Sequence, residues 1–66
     1  MNADNFSLYE ITENGMTFIS KHVSHVAAMI QSSIHAEHES GEWEYFQSPK
    51  HETWVSETFC IVKEPG

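Results

Sequence analysis

The dipeptide Asn14-Gly15 is the sequence feature that most narrows what this chain can fold into. It readily supplies the two positive φ angles of a type I′ turn, so we predict a β-hairpin from Phe6 to Ser20 around it. With the dipeptide as the loop, Ile11 is expected to pair with Phe18. A small antiparallel sheet needs one buried face, and the apolar side of this hairpin is predicted to supply it. That side carries Tyr9, Ile11, Met16 and Phe18.

The residues after Ser20 change to a helical pattern of apolar positions. The Ser20 hydroxyl can cap a helix by accepting a hydrogen bond from an amide of the first turn. We therefore predict a helix from about Lys21 to about His35, which frays in the polar stretch before Gly41. Its apolar positions fall on one stripe, the side by which such a helix packs on a core. The stripe consists of Val23, Val26, Ala27, Ile30 and Ile34.

A second hairpin is predicted from Glu42 to Gln47 and from Thr53 to Lys63, with residues 48–52 as its loop. If Gln47 opposes Thr53, the side chains separate into an apolar face and a mixed face. The predicted core face carries Trp43, Tyr45, Val55, Phe59 and Ile61. The opposite face carries Glu42, Glu44, Phe46, Trp54, Ser56 and Thr58.

Together these elements predict the α+β class, as a single ββαββ domain over residues 1–66 in which one helix packs on a small antiparallel sheet. Residues 1–5 are expected to be a disordered N-terminus. No repeat, low-complexity tract or Pro/Gly-rich linker divides the chain.

A long helix from about residue 13, followed by one β-hairpin, is the alternative fold. A heptad spacing that supports it is formed by Met16, Ile19, Val23, Val26 and Ile30. The ten residues Tyr9–Phe18 also resemble the strand-to-helix junction that follows the wing in some winged-helix regulators. They include no recognition helix, so DNA binding is not carried over. Residues 17–19 are indifferent helix formers, which favours the hairpin.

The charge of the chain indicates what it can bind. Ten Asp and Glu residues face three Lys and Arg residues, which gives a net charge of −7 with neutral histidines. Seven of the ten acids lie within residues 34–66. Direct nucleic-acid binding is disfavoured because no basic stripe can displace counterions from phosphates. The same charge attracts a basic protein surface and raises the rate of encounter with it.

The mixed face of the second hairpin is the predicted partner-binding surface. Tryptophan is enriched at the hot spots of protein interfaces, and Phe46 and Trp54 are expected to pair across the strands beside carboxylates. The alternative role for this pair is to stabilise the hairpin. The candidate binding residues are Glu37, Glu39, Glu42, Glu44, Phe46 and Trp54.

Five histidines include two pairs with a spacing of three, His22 with His25 and His35 with His38. On a helix, this spacing places both rings on one face, within reach of one metal ion. Solvated surface histidines are the preferred interpretation, and we expect no metal or other cofactor. Protonation of all five would change the net charge from −7 to −2, which allows a pH response.

Catalysis is not expected from this sequence. It has no phosphate-binding loop, dinucleotide-binding fingerprint or CxxC motif, and Cys60 lies in the apolar stretch 59–62, as core cysteines do. A lone cysteine also excludes an internal disulfide and favours a reducing, cytoplasmic location. No apolar run approaches the ~18 residues needed to span a bilayer, so no membrane association is expected.

In size, acidity and hairpin-helix-hairpin layout the chain resembles the small proteins that phages and mobile elements encode against host machinery, such as anti-CRISPR proteins and inhibitors of host polymerase. This resemblance implies stoichiometric binding of a host protein, in some cases by mimicking nucleic acid. It rests on layout, so no functional residue is carried over.

The sequence therefore favours a small acidic interaction module, with inhibition as one use, that docks on a basic, nucleic-acid-binding surface of a larger protein. Two alternatives stay open. One is a homo-oligomeric structural or accessory protein such as a homodimer, and the other is a metal-binding or pH-sensing domain built on histidines.

Overall fold

The computed structural model describes residues 5–38 and 41–64 of the chain. In these residues the elements are β1 (Asn5–Thr12), β2 (Gly15–His22), α1 (His25–Ala36), β3 (Glu44–Gln47), β4 (Glu52–Val55) and β5 (Phe59–Glu64). Residues 1–4, most of the predicted disordered N-terminus, lie outside the described residues, and strand β1 begins at Asn5.

The strands form one antiparallel sheet in the order β2-β1-β5-β4-β3. The predicted α+β class, with one helix on an antiparallel sheet, is confirmed. The ββαββ order is wrong in detail because the predicted strand from Thr53 to Lys63 is two strands joined by a turn at residues 56–58. In that turn the Ser56 amide donates to the Phe59 carbonyl at 2.9 Å, and the Phe59 amide donates to the Ser56 hydroxyl at 3.1 Å.

The first hairpin is present, but its register differs from the predicted one. Thr12 pairs with Gly15, so the loop is Glu13-Asn14, and Ile11 pairs with Met16. The Thr12 hydroxyl accepts a hydrogen bond from the Asn14 amide and donates one to the Gly15 carbonyl. These bonds close the loop one residue earlier in the sequence than the predicted loop Asn14-Gly15. The turn still requires glycine, because Gly15 has a φ of +114°.

A β-bulge in β2 follows from this register. Leu8 pairs with Ser20 and Tyr9 pairs with Phe18, so Ile19 has no partner residue in the ladder. The Ile19 side chain packs against the core. The long-helix alternative is wrong, since residues 15–22 form a strand whose β-branched and aromatic side chains suit a sheet.

The helix begins four residues later than predicted, because β2 continues to His22. Ser24, and not Ser20, is the N-cap, and its hydroxyl accepts a hydrogen bond from the Ala27 amide at 3.1 Å. At the other end Glu37 adopts a left-handed conformation, with φ 62°, and its amide donates to the Ile34 carbonyl.

The core lies between α1 and the centre of the sheet. The sheet contributes large buried side chains from β1 and β5. The helix contributes the small buried side chains of Ala28 and Ser32, and its Met29 is partly buried against the cluster. The buried apolar residues of this cluster are Phe6, Leu8, Ala28, Phe59 and Ile61. Ser32 is also fully buried on the helix. Small residues allow the helix backbone to approach a sheet face already filled by two phenylalanines.

The predicted apolar stripe of the helix does not face the core, so this part of the prediction is wrong. Val26, Ile30 and Ile34 are 53%, 58% and 63% exposed, and Val23, just before the N-cap, is 81% exposed. The prediction assumed that the largest apolar side chains of a helix are buried. Here the phenylalanines of the sheet occupy the core volume, and the helix turns its small side chains toward them.

The apolar side of the first hairpin was also assigned to the wrong face. Leu8 packs under the helix, so Tyr9 and Ile11 point to the opposite face of the sheet. On that open face Ile11, Met16 and Phe18 are 37%, 55% and 51% exposed.

Candidate binding groove

The register of the second hairpin separates the predicted aromatic pair. Gln47 pairs with Glu52, and Tyr45 pairs with Trp54. This register is one residue from the predicted one, and such a slip exchanges the faces of a strand. Trp54 therefore lies on the helix side of the sheet, whereas Phe46 lies on the open face and is 54% exposed.

Trp54 belongs to an aromatic cluster that supports the fold. Its ring centroid lies 5.7 Å from that of Phe6 and 5.2 Å from that of Tyr45. The His25 ring stacks on the indole at 4.8 Å with an interplanar angle of 1°. Trp54 packs against the core, so its position is that of a structural residue.

A polar chain borders this cluster. The Tyr45 hydroxyl donates a hydrogen bond to Glu52, whose other carboxylate oxygen lies 3.1 Å from Lys63 Nζ. The hydrogen bond from Tyr45 and then the one from Lys63 lower the pKa of Glu52, while the bond to the carboxylate raises the pKa of Tyr45.

Two of the predicted binding residues, Glu42 and Glu44, lie together in a groove of about 510 Å³. We call it the acidic groove. It is formed where β3 begins, where β4 ends and in the turn that follows β4. The lining residues are Gly41, Glu42, Trp43, Glu44, Val55, Ser56 and Glu57.

The walls of the acidic groove have fixed backbone. Val55 pairs with Glu44 across the hairpin, and Ser56 is held by its hydrogen bonds to Phe59. Gly41 has a φ of +79°, a conformation that L side chains rarely adopt. Trp43 packs partly against the core, so one side of the ring is supported by the fold.

The acidic groove is lined by both apolar and acidic residues. Trp43 and Val55 are half-buried, and Glu42, Glu44 and Glu57 are exposed. No lysine, arginine or histidine is among the lining residues. Such a groove suits a lysine or arginine side chain, whose alkyl stem packs on apolar surface while its charged group meets carboxylates and an aromatic face.

Five of the seven lining residues were not predicted as binding residues. Trp43 was placed in the core, and Glu57 was placed within a continuous strand. The signal that could have located Glu57 is the sequence Ser56-Glu57-Thr58, whose composition is that of a turn.

The remaining predicted binding residues lie elsewhere. Glu37 is exposed at the C-cap of α1, and Phe46 is on the open face beside Glu44, and neither lines the acidic groove. Glu39 lies outside the described residues.

A second groove, of about 280 Å³, lies at the loop of the β3–β4 hairpin. It is lined by Gln47, Ser48, Pro49, Lys50, His51, Glu52 and Lys63. Two of the three lysines of the chain are therefore at this end of the hairpin, away from the acidic groove.

The predicted histidine pairs are not on shared helical faces. His22 ends β2 and approaches the Ser20 hydroxyl at 2.7 Å, while His25 stacks on the aromatic cluster. His35 lies 3.7 Å from Glu10, and His38 follows the end of the helix. Within residues 5–38 and 41–64, no group of three or more His, Cys, Asp or Glu side chains is placed to hold a metal ion.

Cys60 lies in β5 and is buried, and burial raises the pKa of its thiol. Across the parts of the chain that the structure describes, no helix has the length and apolar character needed to cross a membrane.

Comparison of the chain with protein-family models, curated proteins and solved structures found no match in any of the three.

Proposed function

We propose that this protein is a small acidic interaction module that binds a basic segment of a larger protein in the acidic groove. The observation that carries the proposal is that three exposed glutamates, Glu42, Glu44 and Glu57, line one groove together with the half-buried Trp43 and Val55. It is a different surface from the Phe46/Trp54 pair that the sequence suggested, although it retains two of the same carboxylates.

The groove suits more than one basic side chain. Its volume of about 510 Å³ is in the range of small-molecule sites, which leaves room for a short stretch of lysines or arginines. Long-range attraction by the net charge of −7 brings such a partner to the surface, and the groove then determines where it binds.

Occupation of a basic, nucleic-acid-binding surface would block that surface, so inhibition by nucleic-acid mimicry is the use we propose for this binding. The resemblance to anti-CRISPR proteins and host-polymerase inhibitors points the same way. The proposal is of a non-catalytic protein in the cytoplasm, where the lone Cys60 stays reduced. It includes no cofactor.

The test is titration of the protein with a fluorescently labelled arginine-rich octapeptide, read by anisotropy at about 0.05 M and about 0.5 M salt. We expect binding at low salt that is lost at high salt. The double variant Glu42→Gln/Glu44→Gln should weaken it about tenfold, since each exposed ion pair contributes up to ~1 kcal/mol.

The matched control is Glu13→Gln/Glu37→Gln, which removes the same charge at two exposed sites outside the groove. We expect less than a twofold change. Equal weakening by both double variants would show that the overall charge, and not the groove, binds the peptide. Absence of binding at low salt would contradict the proposal as a whole.

A further inference from the structure

The outer side of α1 carries an apolar ridge of Val26, Ile30 and Ile34, and Val23 precedes it in the chain. All four are more than half exposed. They present on the order of 400 Å² of apolar surface, which is the size of the largest patch on many monomers and is often functional.

The ridge also lies on an element without charged residues in an acidic protein. Residues His25–Ala36 include no Asp, Glu, Lys or Arg, whereas the chain has a net charge of −7. A basic partner gains no charge attraction from such a surface. A second copy of the chain, which is repelled wherever carboxylates meet, can approach it at the lowest electrostatic cost.

We propose that two copies of this protein associate through the α1 ridge. The spacing of four residues places Val26, Ile30 and Ile34 on one i±4 row of the helix. Two such rows interdigitate at a crossing angle of about −50°, and a two-fold axis makes the same patch fit itself. The ridge can therefore meet its own copy through matching rows and without repulsion between charged residues of the helix.

The small area of the ridge limits the strength of this dimer. About 400 Å² on each copy is half of what a standard stable interface buries per partner, so the association is weak and reversible, with a Kd on the order of tens of micromolar. None of the ridge residues lines the acidic groove, so the dimer leaves two grooves open.

The test is sedimentation equilibrium of the whole chain from about 1 µM to about 500 µM, which brackets the expected Kd. The wild type should change from monomer to dimer across this range. Ile30→Glu should raise the Kd at least about tenfold, because it places a charge at the centre of the interface. The matched control Gln31→Glu adds the same charge about 100° around the helix, off the ridge, and should keep the dimer.

Three results would overturn the proposal: a wild type that stays monomeric throughout, equal loss of the dimer in both variants, or loss caused by Phe18→Glu on the open sheet face but not by Ile30→Glu. Ile34→Gln, which adds no charge, should also weaken the dimer. Ile30 and Ile34 are exposed and Gln31 is partly exposed, so circular dichroism should show all three helix variants folded.

Discussion

Trp54 joins three elements at one point. Its indole contacts Phe6 of β1 and Tyr45 of β3, and it carries the stacked ring of His25 from the first turn of α1. The position of the helix N-terminus over the sheet depends on this residue.

Replacement of Trp54 by leucine should lower the free energy of unfolding by about 2 kcal/mol, because ring contacts and buried area are both lost. Urea unfolding followed by circular dichroism measures the change. Phe46→Leu is the control on the same hairpin, and its exposed position predicts a change within ~0.5 kcal/mol. A larger loss of stability in Phe46→Leu than in Trp54→Leu would contradict the structural role of Trp54.

Glu52 gives the fold a pH-dependent contribution. Hydrogen bonds from Tyr45 and Lys63 hold its folded-state pKa below the unfolded value. A carboxyl group of this kind stabilises the fold above its unfolded pKa, and the contribution is lost as the pH falls through the folded pKa.

The variant Glu52→Gln should therefore be less stable than the wild type near pH 7, and the two should converge as the pH falls from the unfolded pKa of about 4.3 through the lower folded pKa. Thermal unfolding at a series of pH values measures both. The control is Glu13→Gln in the exposed loop of the first hairpin, and its stability near pH 7 should match that of the wild type. A Glu52→Gln deficit that stays constant down to pH 3 would mean that the carboxylate charge is not responsible.

The helix differs more from its prediction than any other element, both in where it begins and in which side is buried. Its start depends on Ser24, whose hydroxyl satisfies the Ala27 amide. Ser24→Ala should cost about 1 kcal/mol of stability, which is the ordinary value of an N-cap.

The control for this change is Ser33→Ala within α1, where alanine is the better helix former and stability should be unchanged or slightly higher. Chemical denaturation of both variants decides the point. Equal stability of Ser24→Ala and the wild type would show that the helix begins without this cap.

Local chemistry made some elements predictable. Asn14-Gly15 located the first hairpin, and the helical pattern located the helix within a few residues. The pairing registers of the two hairpins were less predictable. The hydrogen bonds of the Thr12 hydroxyl in the first hairpin and the four-residue loop 48–51 in the second each shift the pairing from the predicted one. A one-residue shift in the register of the second hairpin places Trp54 on the helix side of the sheet, so the residues of the expected binding face no longer share one face.

The candidate site was predictable in its charge and not in its position. Glu42 and Glu44 were identified from the predicted mixed face of the second hairpin, together with the concentration of acids in residues 34–66. The groove itself depends on the turn at Ser56, which divides β4 from β5 and brings Glu57 to the same place. Which side of α1 is buried depends on which side chains of the sheet fill the core. The spacing of apolar residues within the helix does not predict this.

At the scale of the whole molecule, the surface divides by chemistry. The acidic groove lies at one end of the β3–β4 hairpin, two lysines lie at its other end, and the uncharged ridge lies on the helix. If both proposals hold, the dimer presents its two grooves together, and a partner with two basic segments gains avidity without a new contact.

Strand β5 is the middle strand of the sheet and the last one in the sequence, so the complete sheet can form only after β5 has been synthesised. Its neighbours are β1 and β4, and Leu8 pairs with Ile61, which lies 53 positions later in the sequence. Such distant pairing gives the fold a high contact order and predicts slow, all-or-none folding. During synthesis the first hairpin emerges with an apolar face uncovered, and it stays so until Phe59 and Ile61 arrive, which makes that interval the period of greatest exposure to aggregation and proteolysis.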